Sequence, residues 1–101
     1  MSQSKKLSKN QIKFLKGIAH GLNPIIIIGA NGVTDSLMEE LEKTLEHHEL
    51  LKIKMASAER SDRKEIIDYI LQNTGAQLVQ SIGKTVVIFR PSEESELQLP
   101  K

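Results

Sequence analysis

Ile25 to Ile28 are four consecutive isoleucines that lead directly into Gly29-Ala30-Asn31-Gly32 and then into a helical pattern. A short run that is β-branched at every position predicts a strand covered on both faces. Pro24 suits the first residue of that strand, where no ladder donor is lost. The strand must then pass into a helix through two glycines at GxxG spacing. Glycine at both ends of the spacer removes the Cβ atoms that would hold a ligand away and permits positive φ, while the next helix turn offers unpaired N–H groups that attract anions. A strand-to-helix turn also needs glycine for steric reasons, so the motif alone divides evenly between packing and a phosphate contact.

The flanking periodicities build a fold around this junction. Ser8 with Gln11 forms a capping-box signal, and Ile12, Leu15, Ile18, Ala19 and Leu22 recur at helical spacing until Gly21 and Pro24 interrupt. After the turn, Val33, Leu37, Met38, Leu41 and Leu45 trace the apolar stripe of a second helix whose other face carries Glu39, Glu42, Lys43 and Glu46. Its cap is either Thr34 or Ser36, the latter paired with Glu39. Leu51, Ile53 and Met55 alternate with Lys52 and Lys54, a strand with one face in the core and two lysines together on the other. Asp62 with Glu65 opens a third helix that buries Ile66, Ile67, Ile70 and Leu71 and stops at Gly75. Leu78–Ile82 and Thr85–Phe89, joined at Gly83-Lys84, read as an antiparallel hairpin. The expected fold is a compact single α/β domain of order α-β-α-β-α-β-β. Its strand-helix-strand units join parallel strands, and the hairpin makes the four-stranded sheet mixed.

At 101 residues the chain has room for one core, here placed in residues 1–91, with 92–101 expected to be a mobile acidic tail. Only 3% of residues are aromatic, so base stacking on Phe14, Phe89 and Tyr69 cannot be the main theme of any nucleic-acid contact. The absence of cysteine excludes disulfides, thiolate metal sites and a cysteine nucleophile, and suits a reducing compartment. No run reaches membrane-spanning length, and the Lys-rich start lacks the apolar run of a signal peptide, so a cytoplasmic protein is expected. Charge is segregated. Residues 1–20 carry five lysines and no acid, residues 33–50 carry six acids against Lys43, and residues 51–64 carry five cations against Glu59 and Asp62. A polyanion-binding face requires such separation.

Rival chemistries fit less well. A P-loop closes its second glycine with Lys-Ser/Thr, whereas Gly32 is followed by Val33-Thr34, and a dinucleotide fingerprint needs a further glycine. Glu46-His47-His48-Glu49 holds zinc-type ligands, but adjacent helical residues point about 100° apart, so histidines beside the negative pole of a helix end are the better reading. His20 reads equally as a capping or packing residue. No triad or acid pair can be assembled, so neither an enzyme, a metal nor a cofactor is expected.

Several of these features recur together in one family. Leu15 through Ala19-His20-x-Leu22-x-Pro24, the turn Gly29 to Thr34, Glu46-His47-His48-Glu49-Leu50 with Lys52 and Lys54, and Ile82-Gly83-Lys84-Thr85 leading to Arg90-Pro91 resemble the CRM-domain family, in its stand-alone bacterial, YhbY-like form. The resemblance implies a fold similar to the C-terminal domain of translation initiation factor three, and association with RNA in precursors of the large ribosomal subunit. It does not imply catalysis. The acidic Glu93, Glu94 and Glu96 stand where basic residues would extend an RNA surface, so the tail is left out of the site.

The expected RNA contact is Gly29, Ala30, Asn31 and Gly32, surrounded by Lys52, Lys54, Lys84, Arg90 and the helix-one lysines Lys9, Lys13 and Lys16. The expected protein is a monomer without a small-molecule substrate or membrane partner. The competing reading is a protein-interaction module that docks its acidic second helix on a ribosomal or RNA-processing protein.

Overall fold

The computed structural model describes residues 7–56 and 60–91. Within them the elements follow the expected order: α1 (Lys9–His20), β1 (Ile26–Ile28), α2 (Asp35–His48), β2 (Leu50–Met55), α3 (Arg60–Thr74), β3 (Gln77–Ile82) and β4 (Thr85–Phe89). The expected tail from residue 92 lies outside the described residues.

Local chemistry sets most of the boundaries. Ser8 accepts the Gln11 N–H at 3.1 Å while the Gln11 side chain accepts the Ser8 N–H at 2.9 Å, the complete capping box. For α2 the cap is Thr34, whose hydroxyl accepts the Leu37 N–H at 3.1 Å, and Ser36 lies inside the helix. The helix α3 begins at Arg60, so Asp62 sits in its first turn and is not its cap. Its end is as expected: Gly75 adopts φ +74° and donates to the Leu71 carbonyl at 3.0 Å, a conformation that costs a residue with a Cβ.

The sheet order is β1-β2-β4-β3. Strand β1 runs parallel to β2, and β4 is antiparallel to both β2 and β3, which gives the mixed sheet. The last strand therefore inserts between β2 and β3, and α3 connects two strands of like direction that are not neighbours.

Each face of the sheet has its own core. On one face Ile26, Ile28, Leu51, Ile53, Met55, Val86 and Ile88 pack with Leu41 and Leu45 of α2 and Ile67 and Ile70 of α3. On the other, Leu50, Val79, Val87 and Phe89 pack beneath Leu15 and Ala19 of α1. The layers are thus α1, sheet, and α2 with α3. The acid-rich α2 and the lysine-bearing α1 lie on opposite sides.

One expectation is overturned here. Strand β1 is an edge strand with a single buried face: Ile26 and Ile28 are 1% exposed, whereas Ile25 and Ile27 are 46% and 61% exposed. The strand starts at Ile26, two residues beyond Pro24. A run of isoleucines looks doubly covered in sequence, but α1 stops at His20 and packs over β2 and β3, leaving the outer face of β1 open.

Candidate nucleic-acid interface

The turn after β1 closes by a hydrogen bond from the Gly32 N–H to the Gly29 carbonyl, 3.0 Å, with Ala30 and Asn31 exposed at its tip. Its two glycines are present for different reasons. Gly32 has φ +69°, so backbone conformation alone calls for glycine there. Gly29 has no positive φ, and among the described residues a Cβ built on it would meet nothing within 4 Å. Neither its conformation nor packing among the described residues needs a glycine at Gly29. The open space beside it suits the close approach of something from outside.

The end of β2 and the hairpin turn lie at the same end of the sheet as this turn. The Ala56 N–H donates to the Ile28 carbonyl at 2.9 Å, and the Met55 N–H donates to the Lys84 carbonyl at 2.7 Å. The Lys84 ammonium reaches the Ala56 carbonyl at 3.4 Å. Ala56 therefore links the end of β1 to the hairpin turn, and the Lys84 side chain reaches over the end of β2. Arg63 and Lys64, at the start of α3, line a groove of about 460 Å³ with Gly83 and Leu78. They belong to the basic segment 51–64 but were not among the expected contacts. Charge segregation flagged them, and only the hairpin's position brings them to the same end of the sheet.

The strand lysines separate in role. Lys54 is exposed, paired across the sheet with Ile27 on one side and Thr85 on the other. Lys52 is on the same face, as expected, but its ammonium donates to the carbonyls of Ala19 at 3.3 Å and Leu22 at 3.2 Å. It satisfies carbonyls at the C-terminal end of α1, where a cation also meets the negative end of the helix dipole. Lys9, Lys13 and Lys16 are exposed and follow i, i+4, i+7 spacing, so they share one side of α1 and lead toward His20.

Arg90 lies elsewhere. Its guanidinium donates at 2.8 Å to Glu42 of α2 and at 2.8 Å to the Thr74 carbonyl that ends α3, while its N–H donates to the Glu49 carbonyl. It follows the last residue of β4, whereas Lys84 precedes the first, so the length of the strand separates Arg90 from the glycine turn. The structure makes Arg90 a joint between helices.

The histidine-rich segment does not converge on a point. His47 and His48 are exposed at the end of α2, while Glu49 turns inward at φ +60° and is 5% exposed. Among the described residues no group of three or more His, Cys, Asp or Glu side chains is placed to hold a metal ion, and no helix is long and apolar enough to cross a membrane.

Comparison with known proteins gives a consistent result. The model of the CRS1 / YhbY (CRM) domain matches residues 7–90. An RNA-binding protein of Haemophilus influenzae is 48% identical over 95 residues, covering 94% of this chain and 96% of that one. The probable RNA-binding protein YqeI of Bacillus subtilis is 33% identical, covering 93% of this chain and 99% of its own length. The solution structure of a hypothetical protein from Staphylococcus aureus superposes with a TM-score of 0.78 at 35% identity, covering 93% of this chain and 99% of that one.

Proposed function

Because the chain belongs to the CRS1 / YhbY (CRM) domain family, we propose that it is a non-enzymatic RNA-binding protein whose Gly29–Gly32 turn meets the RNA backbone. Its target is structured rRNA in precursors of the large ribosomal subunit, and it works as a monomer in the cytoplasm. The observation that carries this reading is Gly29, which no contact among the described residues and no backbone conformation requires to be glycine. Lys54 stands beside Ile27 of β1, Lys84 reaches the end of β2 at Ala56, Lys16 and Lys13 extend the positive side along α1, and Lys9 lies farthest along that helix. Lys52 contributes charge while it caps α1, and Arg90 is left out because its guanidinium is engaged at the other end of β4. Asp35 and the Thr34 cap occupy the first turn of α2, so loop backbone and lysines, more than the helix terminus, would supply the contact. Backbone contacts of this kind read RNA shape more than base sequence.

Two measurements test the proposal. Replacing Gly29→Ala fits the existing backbone, so thermal stability stays level or rises slightly, while RNA affinity falls several-fold because the added methyl occupies the approach. Unchanged affinity would mean that the space beside Gly29 is unused. Salt titration gives the second. With about four phosphates contacted, log affinity falls against log salt with a slope of roughly −3. A flat response would exclude a backbone contact, and RNA-independent, nuclease-resistant capture of a protein would favour the acidic face of α2 as the working surface.

A further inference from the structure

Helix α1 covers only half of its face of the sheet. Beyond its end lie three isoleucines that join no core cluster among the described residues: Ile25, Ile27 and Ile82, 46%, 61% and 63% exposed. The register joins Ile27 and Ile82 into one surface. Ile27 pairs with Lys54, Lys54 with Thr85, and Thr85 with Ile82, one continuous row across all four strands. Three interstrand spacings make that row about 14 Å wide. Beside it His20, Lys52, Gln80, Ile82 and Thr85 line a groove of about 400 Å³, so hydrogen-bonding groups stand over a partly apolar floor.

The chemistry of this surface narrows its occupant. None of the four strands contains an acidic residue, while Lys52 and Lys54 stand on this face and Lys84 at its edge. An anionic partner is therefore favoured. Fully paired RNA presents phosphates and 2′-hydroxyls and keeps its base faces stacked inside, so exposed isoleucines would gain little from it. Unpaired nucleotides offer both phosphates for the lysines and flat apolar faces for Ile27 and Ile82. The row also adjoins the glycine turn directly, since Ile27 precedes Gly29 by two residues.

We propose that this open half-face is a cradle for unpaired nucleotides of the RNA whose backbone the Gly29–Gly32 turn holds, an inference that rests on the reading of that turn given above. Bases lie against Ile27 and Ile82, and His20, Gln80 and Thr85 offer hydrogen bonds to their edges. The ligand is thus RNA in which a short unpaired segment adjoins a helix.

The test compares two RNAs by fluorescence anisotropy with the full chain: a hairpin with an unpaired loop, and the same stem fully paired. Ile27→Thr with Ile82→Thr keeps β-branched residues at exposed strand positions, so the fold is retained, and the single variants serve if the pair proves unstable. The double variant is expected to bind the loop RNA about tenfold more weakly and the duplex as the parent does, with the salt slope unchanged. The turn variant Ala30→Asp with Asn31→Asp is expected to weaken both RNAs. Parental affinity of the isoleucine variant for the loop RNA, with the turn variant still weak, would overturn the cradle and leave the turn standing. Parental binding by the turn variant, with the isoleucine variant weak, would refute the turn and not the cradle. Loss of self-association in sedimentation, with RNA binding intact, would make a second copy of the chain the occupant and overturn the proposal.

Discussion

Placing aspartate at both Ala30 and Asn31 is expected to weaken RNA binding by about thirtyfold while leaving the melting temperature unchanged. Both residues are exposed, and the bond that closes the turn runs between the Gly32 N–H and the Gly29 carbonyl, so neither side chain supports the fold. Each new carboxylate near a phosphate repels it by about 1 kcal/mol at 4 Å even when fully screened by water, and more where the two surfaces exclude it. Two such charges therefore cost about 2 kcal/mol, which is the thirtyfold loss. The effect should shrink as salt rises, since the interaction is between charges near the surface. Asn31→Lys should act oppositely and tighten binding. Anisotropy titrations at two salt concentrations check all three expectations. If the double aspartate variant binds as tightly as the parent, the turn lies outside the interface.

Replacing Arg90→Ala is expected to destabilise the fold by about 2 kcal/mol without weakening RNA binding at temperatures where the protein remains folded. The guanidinium joins Glu42 in α2 to the carbonyl that ends α3, and the side chain is only 22% exposed. A hydrogen bond to a charged group contributes about 1.5–3 kcal/mol, and its loss would leave the Thr74 carbonyl and the Glu42 carboxylate without their partner. Glu42 is 45% exposed, so water recovers part of that cost and the lower part of the range applies. For a domain of this size the melting temperature should fall by about 10 °C. Calorimetry and RNA titration together decide the case. Weakened RNA binding at unchanged stability would return Arg90 to the interface.

These two variants separate what a sequence can and cannot reveal about a basic residue. Lys54 and Arg90 both looked like cations near a strand, and nothing local distinguishes them. Their roles diverge because Glu42 and the Thr74 carbonyl, distant in sequence, are brought to Arg90 by packing, whereas Lys54 is exposed beside its strand partners Ile27 and Thr85. Lys52 follows the same logic, since alternation correctly placed it on the lysine face but could not show that α1 would end above it. The exposed isoleucines were hidden for a related reason. Residue type signals burial on average, and which face of an edge strand stays open depends on how far a helix reaches.

The sequence by itself determined the order of helices and strands, the Ser8 cap, the Gly75 stop, the hairpin and the GxxG turn. Each of these is governed by periodicity, capping or backbone conformation within a few residues. Tertiary structure alone decided that β4 would insert between β2 and β3, that β1 would form an edge, and that the basic end of α3 would reach the hairpin turn. Those outcomes depend on which apolar faces meet across the chain, a competition among distant segments that no local pattern encodes. The candidate interface stands at that boundary: its glycines are a local fact, and the surface around them is a product of the fold.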